Sequence, residues 1–392
     1  MTSRLCWTRM VRLITLLVLI VVSCAPAAAP TPEKIVETVE VPVKETVVVE
    51  VTPTRAPSER IKIGYLVPWG LVNPLAVAYE NSITIPAKHL GWEVIVGDGK
   101  WDAGVQADIM DDWIAMGLAA IIVDPQDSEA IVAPIERANA AGIPVFNFDR
   151  IASGGDVKMA VGLDHYDGAK KACEQMVKLL TERYGEPRGL VLNIQGDLAA
   201  TDGYDRSFGC TDVLDQYPDI EVISKPCEWK LDLAQSTIAD LIGANPEIDG
   251  IYIASDYYVD AAVSGMEMMG RALPREDPDH IFLTSIDGGP ASMRWMREGI
   301  LDASSAQPVN DFGILVKFIK DYFEGKPLPE PGDTFELADA WWSPYTVEEC
   351  PGGPCMMLGT KPVLPENVDD PTWWGNQPFE SPIYNVFLRM EE

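Results

Sequence analysis

An acid and a base, Asp149 and Arg150, end the apolar segment Pro144–Phe148. A carboxylate accepts pairs of hydroxyl hydrogens and a guanidinium donates in a planar fork, so together they can hold a polyol. In an open α/β sheet, ligands bind beyond the carboxyl ends of strands, which is where this pair is expected. The pair is therefore a candidate floor for a ligand site, and a buried salt bridge is the alternative interpretation.

Polar side chains also follow other predicted strands, whose carboxyl ends would face the same crevice. These residues are Asn73, Asp164, Gln195, Asp256 and Asp287. A charge-assisted hydrogen bond contributes roughly 1.5–3 kcal/mol. Three or four of them, with one aromatic ring covering the apolar face of a sugar, would supply the ~8 kcal/mol of micromolar binding. The pattern favours a polyol-binding site.

The sequence contains no convincing catalytic motif. The three histidines, His89, His165 and His280, stand outside any HExxH motif and away from a Cys or Ser motif. Neither GxGxxG nor a Walker A sequence occurs. Two cleft carboxylates at the right separation could hydrolyse a glycoside, and that alternative stays open. We expect a binding protein that is not an enzyme, with no metal and no cofactor.

Predicted strands and helices alternate regularly along the chain, and they would position these side chains. Short apolar segments separated by helical patterns are typical of parallel strands covered on both faces. A second series of alternating strands and helices begins after the fifth strand without a long linker. We therefore predict an α/β fold of two doubly wound parallel-sheet lobes with a cleft between them. The predicted strands are Ile61–Val67, Glu93–Gly97, Ala119–Val123, Ile143–Phe148, Lys158–Leu163, Gly189–Ile194, Glu221–Ser224, Gly250–Ala254 and His280–Ser285.

The alternation of strand and helix patterns ends at about Gly325. Residues 338–392 contain Trp341, Trp342, Trp373 and Trp374, which is a large apolar surface to leave in water. We expect this part to form an ordered, irregular extension packed on the lobes.

The N-terminal segment has the features of a secretion signal. Arg4, Arg9 and Arg12 precede the apolar run Leu13–Val22, which is too short to span a membrane comfortably. Val21-Val22-Ser23-Cys24 resembles a bacterial lipobox, which implies a signal peptide of residues 1–23 and lipidation of Cys24. An ordinary signal peptide or an uncleaved anchor is the alternative.

Residues 24–60 combine Val, Glu and Thr with several prolines. We interpret them as an extended tether, or alternatively as a strand that pairs with another copy. With Cys24 lipidated, the mature protein would be anchored by lipid to the membrane on the extracytoplasmic side of the cell envelope.

Five cysteines remain after Cys6 and Cys24, so at least one cannot pair within the chain. Cys350 and Cys355 flank a Pro-Gly-Gly-Pro turn and could close a small disulfide loop. Cys173 lies on the apolar side of a predicted helix and is interpreted as a core residue. The remaining two are Cys210 and Cys227.

The chain is strongly acidic, with 60 Asp and Glu against 30 Lys and Arg and a formal charge of −30. Such a field repels phosphate backbones, so nucleic acid is excluded as an expected partner.

Nine short motifs follow one another between Ile61 and about Phe335. They are Asn73-Pro74, Val123–Ser128, Ile143–Arg150, Gly162–Asp164, Gln195-Gly196, Asp205-Arg206, Ser255-Asp256, Ile286–Gly288 and Ala306-Gln307. Each motif alone is weak, but nine in order are a strong signal. Together they resemble the motifs of the type I periplasmic sugar-binding proteins of ABC importers, the ribose-binding group.

The resemblance implies roles for individual residues. Asn73 looks like the amide of the first-strand loop, Asp149 and Arg150 like the hydroxyl-binding pair, Asp287 like the acid of the second lobe and Gln307 like the hinge amide. Two aromatic positions complete this implied set. Trp229 falls where the family places a stacking ring, with an edge-core tryptophan as the alternative, and Trp69 is a candidate second ring.

Three departures leave the identity of the sugar open. Leu75 and Ala76 stand where the family has two phenylalanines, so Trp69 would have to substitute for one stacking wall. Tyr204 replaces a frequent arginine, and Ser255 replaces a frequent asparagine.

The resemblance also implies an architecture and a mechanism. Three crossings, near Leu163, Gln307 and Leu337, would form a three-stranded hinge between an N-terminal lobe of residues 61–163 plus 308–337 and a C-terminal lobe of residues 164–307. The protein would be a monomer that closes on a sugar and presents it to an ABC permease.

Several other ligands and roles stay open. The same fold could act as the sensor partner of a membrane receptor, with an autoinducer or a nucleoside as ligand. A cleft with Trp69, Trp101 and Trp229 would suit a nucleobase or a larger saccharide. A repressor of this fold is disfavoured, because a signal and a tether occupy the place of a DNA-binding motif.

Overall fold

The computed structural model describes residues 60–70, 73–338 and 340–377. The predicted signal peptide, the predicted lipidation site at Cys24 and nearly all of the predicted tether lie outside these residues. Within the described part, no helix has both the length and the apolar character needed to cross a membrane.

A seven-stranded sheet forms the core of the N-terminal lobe, in the order β13-β14-β5-β4-β3-β1-β2. Its pairs are parallel except for the antiparallel β13–β14 hairpin. Helices α1, α2, α3 and α9 belong to this lobe. The elements are β1 (Lys62–Val67), α1 (Pro74–His89), β2 (Glu93–Asp98), α2 (Ala103–Met116), β3 (Ala120–Val123), α3 (Val132–Ala140), β4 (Val145–Phe148), β5 (Val157–Leu163), α9 (Ile314–Phe323), β13 (Glu348–Cys350) and β14 (Gly353–Leu358).

A six-stranded sheet forms the core of the C-terminal lobe, in the order β15-β10-β9-β8-β6-β7. Its pairs are parallel except for β10–β15. The elements are α4 (His165–Tyr184), β6 (Gly189–Gln195), α5 (Thr201–Leu214), β7 (Ile220–Pro226), α6 (Leu231–Ala244), β8 (Gly250–Ile253), α7 (Val259–Met268), β9 (Phe282–Asp287), α8 (Pro290–Arg297), β10 (Ala303–Ala306) and β15 (Lys361–Val363). A small antiparallel pair, β11 (Thr334–Phe335) and β12 (Tyr345–Thr346), precedes β13.

Local sequence explains where several of these elements begin and end. The Asn73 side chain accepts a hydrogen bond from the Ala76 amide and starts α1, and Asp164 caps α4 through the Asp167 amide in the same way. Gly117 ends α2 with φ 67°, a conformation that costs little without a side chain. The central strands β3 and β4 are buried along their whole length, as expected for parallel strands with helices on both faces.

The prediction of two doubly wound lobes is confirmed, and the predicted strands lie within two residues of β1 to β9. The prediction was wrong about the third crossing. It occurs between Leu358 and Lys361, where β14 of the N-terminal lobe leads directly into β15 of the C-terminal lobe, and not near Leu337. Residues 338–377 are therefore not merely an irregular extension, because they add strands to both sheets.

The cysteines pair in two disulfides. Cys350 and Cys355 are bonded across the β13–β14 hairpin, with a Cα–Cα distance of 5.8 Å. Cys173 is also bonded, to Cys210, with a Cα–Cα distance of 5.2 Å. Its interpretation as a core residue is confirmed, since its side chain is fully buried. The bond to Cys210 forms because α4 and α5 lie side by side and bring together two cysteines that are far apart in sequence. Cys227 is buried and unpaired.

Candidate functional site

A cavity lies between the two lobes. Both lobes contribute to it through the carboxyl ends of strands and the first turns of helices. The N-terminal lobe supplies Trp69, Asn73, Leu75, Tyr79, Trp101, Asp149 and Arg150, and the C-terminal lobe supplies Asp202, Arg206, Trp229, Ser255 and Tyr257.

Several residues at the cavity have a left-handed backbone that side chains rarely adopt. The φ angles are 59° at Trp101, 57° at Asp149 and 54° at Trp229. Such strain persists only where surrounding packing imposes it, and it clusters at ligand sites. At Asp149 the packing includes Gly162, since a Cβ there would come within 2.2 Å of the Asp149 carbonyl oxygen.

Arg150 is the cation of the N-terminal half of the site and is 1% exposed. Its Nη2 donates to Asp202 Oδ2 of the C-terminal lobe at 2.9 Å, and its Nε lies 3.9 Å from Asp124 Oδ1. Its guanidinium also lies 4.6 Å from the centre of the Trp69 ring, a cation–π distance. Arg150 therefore has one acidic partner in its own lobe and another in the opposite lobe.

Arg206 is the cation of the C-terminal half. Its Nη2 lies 3.1 Å from Asp287 Oδ1, and its Nη1 donates to the Ala254 carbonyl oxygen at 2.9 Å. Its Nε donates to His165 Nδ1 at 3.1 Å. Burial, reinforced by the two arginines, lowers the pKa of His165 well below its usual value, so the ring is neutral and its proton is on Nε2. That nitrogen faces Asp149 Oδ1 at 3.5 Å.

A chain of buried polar groups joins the two halves behind the cavity. The Tyr79 hydroxyl lies 2.7 Å from Gln307 Oε1 and 3.1 Å from Asp149 Oδ1. Gln307 Nε2 in turn donates to Asp287 Oδ1 at 2.8 Å. Burial, opposed by the arginines, raises the pKa of Asp149 to about 7.

Aromatic rings cover the remaining walls. Trp69 and Trp101 stack at 5.1 Å between centroids, and Trp101 approaches Tyr257 of the other lobe at 6.3 Å. Trp229 packs on Tyr258 and fits only because residue 196 is glycine, since a Cβ there would lie 2.1 Å from the indole. Such faces can cover the C–H surface of a sugar ring.

The structure brings together six of the predicted ligand-binding residues and places two elsewhere. Those on the cavity wall are Trp69, Asn73, Asp149, Arg150, Trp229 and Ser255. Asp287 and Gln307 are fully buried and are not among the residues lining this cavity. The Asp287 carboxylate accepts hydrogen bonds from Ser255, Gln307 and the Asp256 amide, which makes it a positioning residue for its neighbours.

Sequence reasoning missed four lining residues: Tyr79, Asp202, Arg206 and Tyr257. Arg206 was noticed only as part of a motif. Asp202 precedes it by four residues on α5, a spacing that places both side chains on one helix face, and this signal could have identified Asp202. The described residues contain no group of three or more His, Cys, Asp or Glu that could hold a metal ion.

The model of the periplasmic binding protein domain family matches residues 63–327, which is more than half of the chain. The chain belongs to this family. Two curated proteins are examples of its relatives. The ribose import binding protein of Bacillus subtilis is 26% identical over 260 residues, covering 66% of this chain and 80% of the relative. A D-apiose import binding protein of Actinobacillus succinogenes is 26% identical over 246 residues, covering 61% and 74%.

Two solved structures of binding proteins illustrate the shared fold. A galactofuranose binding protein is 20% identical, with a TM-score of 0.67 over 79% of this chain and 96% of that structure. A solute binding protein from Bacillus halodurans with bound myo-inositol is 21% identical, with a TM-score of 0.66 over 81% and 98%. The resemblance to type I periplasmic sugar-binding proteins is thus confirmed.

Proposed function

We propose that this member of the periplasmic binding protein family captures a neutral sugar or related polyol and delivers it to an ABC importer. The observation that carries the proposal is the mixed lining of the interlobe cavity. Asp149 and Asp202 are balanced by Arg150 and Arg206, and aromatic rings complete the walls. Balanced charges suit hydroxyl groups, which donate to carboxylates and accept from guanidinium groups. The named functions of the curated relatives support the same ligand class.

Capture would proceed by hinge closure. In the structure the lobes touch beside the cavity, where Arg150 bonds Asp202 and Gln126 Nε2 donates to Asp197 Oδ2 at 3.1 Å. A ligand that contacts both lobes would stabilise this closed arrangement over an open one, because only the closed form offers all of its partners. Closure would then present one surface of both lobes to the permease.

The proposal includes an extracytoplasmic location, a lipid anchor at Cys24 and a monomeric state. The import role of the relatives supports the location. The motif around Cys24 supports the anchor.

Thermal unfolding in the presence of a panel of pentoses, hexoses and cyclitols tests the sugar assignment. A bound sugar at about 100 times its dissociation constant should stabilise the protein by about 2.7 kcal/mol. Asp149→Ala should abolish the shift while the protein remains folded, because the sugar loses a carboxylate acceptor. Asp111→Ala, at an exposed site on α2, is the matched control and should keep it. Tight binding of another solute class, with no response to any sugar, would contradict the proposal.

A further inference from the structure

A second cavity adjoins the first. The two share Asn73, Leu75 and Tyr257 as lining residues, so they are neighbouring compartments of one cleft. The second compartment is also lined by Pro74, Leu231, Asp256, Asp260, Ala261, Asp287, Gly289, Pro290, Ala291 and Trp374. It is the larger of the two compartments.

The walls of the second compartment differ from those of the first in charge. Its described lining includes Asp256 and Asp260 but no Lys, Arg or His. An anionic group such as a phosphate or a carboxylate would meet acids but no basic side chain of the lining, since Arg294, which pairs with Asp260, is not among the lining residues. Carboxylate oxygens beside apolar and aromatic side chains instead suit a neutral unit that carries hydroxyl groups on an otherwise apolar ring.

One wall of this compartment is built by the C-terminal part of the chain. Trp374 is 5% exposed, and its Nε1 donates to the Asp287 carbonyl oxygen at 2.6 Å. Its ring packs on Gly289, where a Cβ would lie 3.0 Å from the indole. Nearby, the Asp256 carboxylate is held by Ser285 Oγ at 2.6 Å and by the Gly289 amide at 2.5 Å. The compartment is therefore a shaped site with fixed walls.

We propose that the natural ligand is a neutral glycoside of two units, with one sugar ring in the first cavity and the second unit in this compartment. The inference rests on the proposed sugar-binding function and specifies its substrate class. The first ring contacts the paired arginines and aspartates, and the second unit contacts Tyr257, Trp374 and the acids. The linkage between the units lies beside Asn73 and Leu75, where the cavities meet.

Calorimetry on the purified protein tests this. The probes are ribose, xylose, galactose and glucose, together with xylobiose, lactose, melibiose, cellobiose and the phenyl glycosides of the four monosaccharides. At least one two-unit probe should bind about tenfold or more tighter than its own parent monosaccharide, a gain of about 1.4 kcal/mol.

Ala291→Trp, which fills the second compartment alone, should remove that gain and leave the affinity for the parent monosaccharide unchanged. Ala133→Trp, at an exposed position of α3, is the matched control and should change neither affinity. Ala291→Met, with a flexible side chain that adapts to irregular space, serves if the tryptophan variant does not fold.

The outcomes separate the two proposals. If monosaccharides bind and no two-unit probe binds tighter, the second compartment is not a ligand site and the inference is overturned. It is equally overturned if filling the compartment leaves the tighter affinity intact. If no carbohydrate binds at all, the proposed sugar-binding function itself has failed.

Discussion

Arg150 and Arg206 are alike in type, burial and position, yet their partners differ. Each is nearly inaccessible to solvent and lines the same cavity. Arg206 is bonded entirely within the C-terminal lobe, to Asp287, the Ala254 carbonyl and His165. Arg150 has its closest carboxylate partner, Asp202, in the opposite lobe.

The difference indicates that the two halves of the site are assembled differently. The C-terminal half is organised by contacts that do not depend on how the lobes are placed. The N-terminal half gains its best ion pair only when the lobes meet, so its electrostatic environment changes with closure. The surface that the C-terminal lobe offers to a ligand is therefore already organised in the open form. The surface of the N-terminal lobe changes its ion pairing when the lobes close.

The largest effect should come from Arg206→Met. This change leaves the Asp287 carboxylate buried without its counter-ion, and breaking a buried pair costs about 3–5 kcal/mol. The loss should appear as a lower free energy of unfolding, measured by urea denaturation. Arg294→Met is the control, because Arg294 pairs with Asp260 in an exposed position and such pairs contribute less than about 1 kcal/mol. Equal losses in both variants would show that Arg206 does not organise its lobe.

The next effect concerns pH. The pKa of Asp149 is raised to about 7, chiefly by burial, whereas an unfolded aspartate titrates near pH 4. Between these values the folded state holds a proton that the unfolded state has lost, so stability falls as pH rises from 4 to 7, by up to about 1.4 kcal/mol per pH unit. Asp149→Asn should flatten this slope in ligand-free protein.

Asp256 provides the comparison from the C-terminal lobe. Burial and the neighbouring Asp287 raise its pKa to about 7 as well, so Asp256→Asn should flatten the slope in the same direction. The measurement is the free energy of unfolding at several pH values from 4.5 to 7.5. A slope that neither substitution changes would rule out this account of the buried acids.

The smallest effect on stability should come from Asp202→Asn. Arg150 keeps Asp124 of its own lobe as a counter-ion, and an amide oxygen still accepts a hydrogen bond, so the free energy of unfolding should fall by less than in Arg206→Met. The ion pair between the lobes is nevertheless lost, and the ligand-free protein should shift towards an open form. Small-angle scattering would detect this as a larger radius of gyration that returns to the wild-type value when sugar binds. An unchanged radius would mean that this pair does not hold the lobes together.

Much of the fold could be predicted from sequence because parallel strands leave a strong pattern. Segments such as β3 are continuously apolar and stand between helical repeats. The pattern missed β10, whose residues Ala303–Ala306 read Ala-Ser-Ser-Ala, and β14, which contains Gly, Pro and Cys. Both strands are specified by the neighbours with which they pair, and such pairing is invisible in a single segment.

The site was predictable to the extent that it lies at strand ends. Asp149 and Arg150 follow a buried strand, and their place at the cavity follows from the topology. Tyr79 and Tyr257 lie on helical segments, and only three-dimensional packing brings them to the same cavity. The Cys173–Cys210 disulfide was out of reach for the same reason, because pairing depends on how two helices pack.

The direct passage from β14 to β15 has a consequence for how the protein matures. A chain that is synthesised N-terminus first cannot complete the seven-stranded sheet until Leu358 has emerged, nor the six-stranded sheet until Val363 has emerged, because β14 and β15 lie late in the sequence. The same short segment, residues 353–363, therefore completes both sheets and also forms the third connection between the lobes.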